Sequence, residues 1–570
     1  MAKKDLEVQG GDVARKIIFD NPPYSVYVGF LFACPAYVII SSMIKKILEN
    51  KVRRAVGALY SEVDTSGMNV ERSGGFGDYA SNVAMVLAGT LGRNPREVAG
   101  EVKEEILSKA TGQYIKSAEI AGPGFLNITL TEEAILSELG VMKDSLISGF
   151  DFISGEKINI EFISANPTGA LHIGHGRGAF YGDVLSNILS FAGADVVREY
   201  YINDSRESNQ IKELGKTALG VGEQYKTVQL EKMIEEMDFA GFDESEVGFA
   251  LGKKVQEYNR NFIENKLGIK FGNWYSEDEN IRAAGVSDKI IEELDKKDLI
   301  YKRDGAVWIK TSEYGNGEDM VVVRSDGTKS YFVSDIAYHK DKFERGYDKV
   351  IDVWGADHHG HVKRMHAVGK MLGWPMEPQP QPIIFITQLV SLKEGGERKR
   401  MSKRAGTAIP FEELVDDFGI DVVRWFFSDK SLGTHMDFDA QLAKEQSQKN
   451  PVYYVQYAHA RICSILEKTK ELKADKKSLA DALKTEKGRA LAMKITEFEE
   501  VVEDIAGDFG VHKITTYAHE LASEFSGFYN DVRIVEDDTY NSGALELALI
   551  AKNTLAKTLS LLGVSAPEKM

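Results

Sequence analysis

The chain has 570 residues, with 43% hydrophobic and 28% charged side chains, which is the composition of a folded protein large enough for several domains. A formal net charge of −17 and only two cysteines exclude a disulfide framework and a cysteine-rich zinc site, and they disfavour a protein that coats nucleic acid without regard to sequence. A basic patch on an acidic body stays possible, and a reducing, cytoplasmic setting is expected. Val26–Ser42 is a nearly uncharged apolar run, short for a membrane span and interrupted by Pro35. It is read as part of an upstream extension before Met43 rather than as an anchor, and residues 1–42 are set aside from the fold. Ile44, Ile47, Leu48, Val52, Val56 and Leu59 recur at helical spacing. A turn at Gly74–Asp78 precedes a helical stretch from Tyr79 to about Leu91, and Phe125–Leu130 alternates like a strand. Residues 43–145 are therefore expected to form a small α+β unit.

Lys157–Ile163 reads as a strand, the next residues as a polar loop, and Gly174–Ala192 as a helix with Phe180, Val184 and Ile188 on one face. This is the opening of a parallel, Rossmann-type α/β domain, expected over 146–447. Apolar runs at Tyr347–Trp354 and Pro382–Val390 supply further strands, and the charged sequence between about 205 and 330 reads as insertions. From about Gln448 onward the pattern is almost wholly helical, so an all-α bundle is expected over 448–570.

Chemistry concentrates between the first α/β strand and its helix, in Ser164-Ala-Asn-Pro-Thr-Gly-Ala-Leu-His172-Ile-Gly-His175. Backbone N–H groups at a helix N-terminus attract phosphate, and Gly174 and Gly176 are expected to let the backbone approach a ligand. Two histidines three apart can donate to phosphate oxygens as charge develops there. Packed core histidines or a metal pair are the alternatives. This segment resembles the HIGH signature of class I aminoacyl-tRNA synthetases, matched at His172-Ile173-Gly174-His175, and the stretch from Glu161 to His175 is similar to the prefix of the arginine-specific enzymes. Glu199-Tyr-Tyr-Ile-Asn-Asp204, Trp354-Gly-Ala-Asp-His-His-Gly360 and Tyr453–Arg461 extend the resemblance along the chain. Arg400-Met-Ser-Lys403-Arg404 stands where the second class I signature, K-M-S-K-S, belongs, matching it in part.

The resemblance implies activation of L-arginine by ATP, taken as its Mg²⁺ complex, and transfer to tRNA(Arg). It implies catalytic roles for His172, His175 and Lys403. ATP would be held by Thr168, Gly169, His172, Gly174, His175, His358, Gln388, Met401, Ser402 and Lys403. Arginine would be held by Glu161, Ser164, Asn166, His172, Tyr331, Asp335 and Asp357. A guanidinium presents five donors in a fixed fork, so carboxylates suit it; Tyr331 and Asp335, four apart at a helix start, share one side. Contacts to tRNA would come from Phe76, Asp78 and Tyr79 at the elbow-binding N-terminal unit, and from Tyr453, Gln456, Tyr457 and Arg461 in a helical anticodon-binding domain. For Tyr453 and Tyr457 core packing is the alternative.

Asp357-His-His-Gly-His361 is dense enough in histidine to suggest zinc, but its place after a strand suits a ligand-facing loop, and no protein-bound metal is expected. A monomer without membrane attachment is expected. The competing readings are another class I synthetase, a small-molecule nucleotidyltransferase and an inactive tRNA-binding regulator. The Asn-Pro-Thr-Gly-Ala-Leu-His prefix, the helical C-terminal region and the retained His172, His175 and Lys403 argue against each in turn.

Overall fold

The first element, α1 (Ile44–Leu59), buries Ile44, Leu48, Val52 and Val56 along one stripe, as their spacing requires. It belongs to an N-terminal unit of α1, β1 (Val70–Arg72), β2 (Tyr79–Ser81), α2 (Val83–Leu91), α3 (Pro95–Ala110), β3 (Ile115–Ala121), β4 (Phe125–Leu130) and α4 (Glu132–Ser148), with sheet order β1-β2-β4-β3. Tyr79–Ser81 is thus a strand, not the start of the helix expected there. Tyr79 and Ser81 alternate inward and pair with Ile128 and Leu126, and this sheet contact overrides a helical pattern too short to distinguish the two. The computed structural model describes residues 44–110, 113–394, 397–399 and 409–570. The apolar run before Met43 and the basic loop from Arg400 to Arg404 lie outside the described residues.

The main sheet has five parallel strands, β5 (Lys157–Glu161), β6 (Asp195–Ile202), β7 (Asn273–Ser276), β11 (Lys349–Trp354) and β12 (Ile383–Ile386), in the order β12-β11-β5-β6-β7. The chain moves outward in one direction from β5 through β6 to β7 and in the other from β11 to β12. The strand order therefore reverses between β5 and β11, and the carboxyl ends of those strands frame the crevice where open α/β sheets bind ligands. Helix α5 (Ile173–Phe191) links β5 to β6 and is buried on almost every side.

Between β6 and β11 lie α6 (Asn209–Ala218), α7 (Val228–Glu235), α8 (Glu244–Asn261) and α9 (Val286–Lys296), and a three-stranded sheet β8 (Ile300–Arg303), β9 (Ala306–Ile309) and β10 (Met320–Val323). Helix α10 (Tyr331–Glu344) follows. The region expected to be insertion therefore contains β7, a member of the main sheet: its four residues Asn273–Ser276 pair with Glu199–Ile202, and a strand so short leaves little alternation to read. After β11 come α11 (His359–Leu372), β12, β13 (Val390–Glu394), β14 (Glu397–Lys399), α12 (Phe411–Phe418), α13 (Ile420–Ser428), β15 (Met436–Asp439) and α14 (Ala440–Ala443). The apolar run through Val390 is split, because Val390 pairs with Met436 in a separate sheet while Ile383–Ile386 stays in the main one.

The C-terminal region consists of α15 (Pro451–Thr469), α16 (Leu479–Leu483), α17 (Glu486–Asp508), α18 (His512–Asp531) and α19 (Ser542–Leu562), with three two-residue strands, β16 (Lys473–Ala474), β17 (Val535–Glu536) and β18 (Thr539–Tyr540). Helix α5 is bonded to the carboxyl ends of two bundle helices. Tyr181 Oη donates to the Phe509 carbonyl at 3.0 Å and Asn187 Nδ2 to that of Leu561 at 2.9 Å. Asp183 pairs at 2.7 Å with buried Arg424, which donates to the Leu562 carbonyl. These are the carbonyls that a helix cannot satisfy within itself. No helix among the described residues is long and apolar enough to cross a membrane.

Candidate active site

The two histidines of the loop–helix junction build their own helix cap. Nδ1 of His172 accepts from Gly174 N at 3.1 Å, and Nδ1 of His175 accepts from His172 N at 3.0 Å, with ring centroids 4.0 Å apart. A reciprocal pair of this kind satisfies two N–H groups left over at a helix start. Both glycines also make room for neighbouring side chains. A Cβ on Gly174 would fall 2.9 Å from the His172 ring, and one on Gly176 would fall 2.8 Å from Phe427 and 2.9 Å from Phe411. Gly176 therefore makes room for protein side chains of α12 and α13, and Gly174 makes room for the His172 ring.

The loop leading to this cap is fixed from three sides. Ile163, buried and β-branched, takes a left-handed backbone (φ 71), a strained state costing about 1–3 kcal/mol that persists where surroundings enforce it. Beyond that turn, Ser164 Oγ accepts from Tyr201 N at 3.1 Å and Ala165 N donates to Tyr200 Oη at 3.2 Å. Buried Asn259 of α8 accepts from Leu171 N and donates to the Gly169 carbonyl at 3.1 Å. Asn166 is partly exposed and Thr168 buried within the same loop. Ile173 N donates to the Ile409 carbonyl at 3.0 Å and Phe411 N to that of Leu171 at 3.0 Å. The chain leaving the basic loop thus runs beside His172, although Met401, Ser402 and Lys403 themselves lie outside the described residues.

Under this rim a row of acids crosses the sheet: Asp352, Glu161 and Glu199 are register partners on β11, β5 and β6, and all are buried. Helix α10 supplies most of their partners. Lys342, fully buried, bridges Glu161 at 2.7 Å and Asp352 at 2.6 Å. Arg345, just after the helix, forms a bidentate pair with Glu199 at 2.6 and 2.9 Å, and Tyr338 Oη donates to Glu199 at 2.7 Å. His339 Nε2 meets Asp352 at 2.8 Å and its Nδ1 meets the Asp335 carbonyl at 2.7 Å. Both ring nitrogens thus face acceptors, so the ring donates from both and carries charge. Burial alone would lower its pKa, but Asp352 holds it above the ordinary value. Burial pushes the Glu161 carboxyl up, against the pull of Lys342.

The N-terminal turn of α10 carries Tyr331 and Asp335. Tyr331 is exposed, with Oη accepting from Asn209 N at 3.1 Å. Asp335 is only partly exposed. Burial pushes its carboxyl up to about 7; the charges of Glu277 and Glu161 add to this and His339 opposes it. Glu277, which sequence reasoning missed, is buried and paired with Arg282 at 3.1 Å. Asp357 and His358 are exposed just beyond β11, and Gln388 lies beyond β12, where its N–H donates to the Leu432 carbonyl at 3.2 Å. Among the described residues no group of three or more His, Cys, Asp or Glu could hold a metal ion.

Three profiles match the chain in order: an arginyl tRNA synthetase N terminal domain over 42–130, a tRNA synthetases class I (R) catalytic domain over 142–208 and 251–431, and a DALR anticodon binding domain over 455–570. The arginine–tRNA ligase of Listeria monocytogenes is 40% identical over 553 residues, covering 92% of this chain and 98% of that protein. That of Bacillus subtilis is 38% identical, covering 93% of this chain and 100% of its own length. The chain belongs to the arginyl-tRNA synthetase family. It is a class I aminoacyl-tRNA synthetase, a ligase. The Thermus thermophilus arginyl-tRNA synthetase has the same fold, with a TM-score of 0.72 at 22% identity over 93% of this chain and all of that one.

The surfaces expected to meet tRNA differ in this synthetase. Phe76 is 75% exposed on its turn, but Tyr79 is 1% exposed and donates to Glu500 at 2.8 Å. A ring packed in the core cannot stack on a base, so the expectation for Tyr79 is withdrawn; its place on the inward face of β2 decides this. Asp78 accepts from Leu130 N at 2.7 Å and pairs with Arg489 of the bundle. Tyr453, Gln456, Tyr457 and Arg461 are all partly exposed along α15, outside the buried stripe of Val452, Val455, Ala458 and Ile462. Arg461 lies over the Tyr457 and Tyr529 rings, and Tyr453 and Gln456 line a cavity of about 590 Å³ with Phe418, Lys444 and Met570.

Proposed function

We propose that the crevice between β5 and β11 is where arginine is activated. The reaction is the family's: L-arginine and ATP give arginyl-adenylate and pyrophosphate, and arginine then passes to the 3′ end of tRNA(Arg). Asp335 and Glu161 hold the guanidinium, with Tyr331, Ser164, Asn166, Asp357 and His172 around the rest of the amino acid. Thr168, Gly169, Gly174, His358, Gln388, Met401 and Ser402 hold ATP, the Mg²⁺ complex being the substrate form. His172, His175 and Lys403 meet the phosphates as negative charge moves onto the leaving pyrophosphate, where a fixed donor counts for most. The observation that carries this reading is the crevice where the strand order reverses: Glu161 on β5 and Asp352 on β11 lie side by side there, tied to α10 through Lys342, and β5 leads on into the histidine-capped helix.

The labour divides along the chain: residues 43–145 toward the tRNA elbow, through Phe76 and Asp78; 146–447 for the chemistry; and 448–570 toward the anticodon, through Tyr453, Gln456, Tyr457 and Arg461. We take the protein to act as a cytoplasmic monomer, which sedimentation and fractionation of the source cell test. The test of the site is arginine-dependent ATP–pyrophosphate exchange, with and without tRNA(Arg), on wild type and Asp335→Ala. The variant is expected to need about tenfold to over a hundredfold more arginine, because a charged hydrogen bond in a dry pocket is worth about 1.5–3 kcal/mol or more. A change confined to the ATP requirement would remove Asp335 from the guanidinium.

A further inference from the structure

One polar group beside this pocket has no use within the protein. Tyr201, near the carboxyl end of β6, is 5% exposed, and its ring is wedged against Tyr338, with centroids 4.3 Å apart, and Tyr275 at 6.1 Å. Its backbone N–H is the donor to Ser164 Oγ, so the residue is tied directly to the arginine-specific loop. Its neighbours in this aromatic cluster use their hydroxyls: Tyr338 donates to Glu199 and Tyr275 bonds Asp341. The Tyr201 hydroxyl is buried and has no hydrogen-bond partner. A buried hydroxyl without a partner destabilises a fold, so an unoccupied one in a native site needs a reason.

The charges around it supply one. After burial, the influences acting on this phenol are the carboxylates of Glu277, Asp335 and Glu161, with Arg282 opposing, and together they hold it well above its ordinary pKa. The phenol therefore stays protonated. Of these three acids, Glu277 is paired with Arg282 and Glu161 with Lys342, which leaves Asp335 without an ion pair among the described residues. The deficit is one cation, and a planar cation with several N–H groups can engage both the acids and a neutral oxygen.

We propose that Tyr201 is a specificity-determining residue of the arginine pocket, its oxygen accepting a guanidinium N–H while its own proton is donated to a pocket carboxylate. The inference rests on the assignment of Glu161 and Asp335 to the guanidinium. A phenol that both accepts and donates adds selectivity that a carboxylate alone lacks. The compact ammonium of lysine cannot span the acids and the phenol together, and neutral citrulline leaves the carboxylates without their counter-charge.

The experiment uses the full chain and the isosteric variant Tyr201→Phe, beside Asp335→Ala. Thermal melting is recorded with and without arginine, and exchange kinetics are measured in the presence of tRNA(Arg). The melting temperature of ligand-free Tyr201→Phe should equal or exceed that of wild type, because the hydroxyl removed was unpaired. Its arginine KM should rise about tenfold or more, with the ATP KM unchanged, and arginine should protect it less against heat. A ligand-free protein that melts earlier, with an arginine KM within twofold of wild type, makes the hydroxyl structural and overturns the inference. If Asp335→Ala raises the arginine KM and Tyr201→Phe does not, the pocket stands and Tyr201 is excluded from it. If Tyr201→Phe raises it and Asp335→Ala does not, the assignment of Asp335 falls while Tyr201 remains an arginine contact. If neither moves it, both assignments fall.

Discussion

The proposed pairing of Asp335 with the guanidinium makes arginine recognition depend on pH with a definite sign. Burial raises its carboxyl to about 7, yet only the ionised form pairs with a guanidinium. The value of kcat/KM for arginine should therefore climb as pH rises through about 7 and level off above it, while kcat/KM for ATP does not follow. The pH profile of exchange between roughly pH 5.5 and 8.5 checks this, and Asp335→Asn should lose both the climb and most of the arginine affinity. A flat wild-type profile would remove the carboxyl from the binding step. Stability runs the opposite way. A carboxyl whose folded pKa lies above its unfolded value of 3.8 favours the fold most at acid pH, and that contribution is lost as pH rises through about 7. Bound arginine pairs the charge, so its protection against heat should be larger above pH 7 than below it.

Helix α10 does two jobs on one face. Its first turn carries Tyr331 and Asp335, proposed for the arginine pocket, and the later turns place Tyr338, His339 and Lys342 against the acids of the sheet. Positions 331, 335, 338, 339 and 342 fall on one side because the helix repeats every 3.6 residues. Lys342 is the residue whose loss should matter most to folding. Lys342→Met leaves buried Glu161 without its cation and Asp352 with His339 alone, which costs about 3–5 kcal/mol. Urea denaturation should show that loss, and Lys342→Met/Asp352→Asn should recover part of it by removing one of the stranded charges. If the single variant is as stable as wild type, the bridge is not what holds α10 to the sheet.

Helix α10 also marks the limit of what the sequence reveals. Its pair Tyr331 and Asp335 comes from the resemblance, with a four-residue spacing that suits a helix start, whereas α1, α5 and the bundle are legible from spacing, because each carries an apolar stripe of several turns. The HIGH histidines and the strand–loop–helix around them are legible from a motif. The row of Asp352, Glu161 and Glu199 is not, because it exists only through strand register between segments up to about 190 residues apart. Glu277, Asn259 and Tyr201 are missed for the same reason, each being brought in by tertiary packing. Tyr79 is misread because its aromatic ring fits a strand core as well as a base-stacking surface.

At the scale of the whole molecule, the N-terminal unit and the bundle meet through buried charge. Arg72 pairs with Glu500 at 2.7 Å and donates to the Met493 carbonyl at 2.6 Å. Beside them Glu138 of α4 and Glu499 of α17 form a hydrogen-bonded carboxyl pair, and burial followed by the charge of Glu499 pushes Glu138 up to about 9, with Glu500 adding and Arg72 opposing. The pair keeps a proton, so this contact is strongest at acid pH and weakens as pH rises through about 9. Glu138→Gln supplies a permanent donor. It should stabilise the fold more at pH 8–9 than at pH 5–6, by on the order of 1 kcal/mol or more, read as a larger rise in melting temperature at the higher pH. Equal shifts at both pH values would mean that the proton is not part of the contact.

The bonds from α5 to the bundle decide how the molecule comes apart. Tyr181, Asn187 and the Asp183–Arg424 pair attach the helix carrying His172 and His175 to the carboxyl ends of α17 and α19. When those helix ends fray, Tyr181 and Asn187 lose their acceptors inside a crowded interior, so opening one element penalises keeping the other closed. The amides of α5 and of the last turns of α17 and α19 then belong to one cooperative opening unit, and their hydrogens exchange with solvent together although they come from regions of the chain far apart in sequence. Cutting the chain before α15 to isolate a catalytic fragment divides that unit, so the fragment's loss of activity reports on a histidine helix set adrift as much as on absent anticodon contacts.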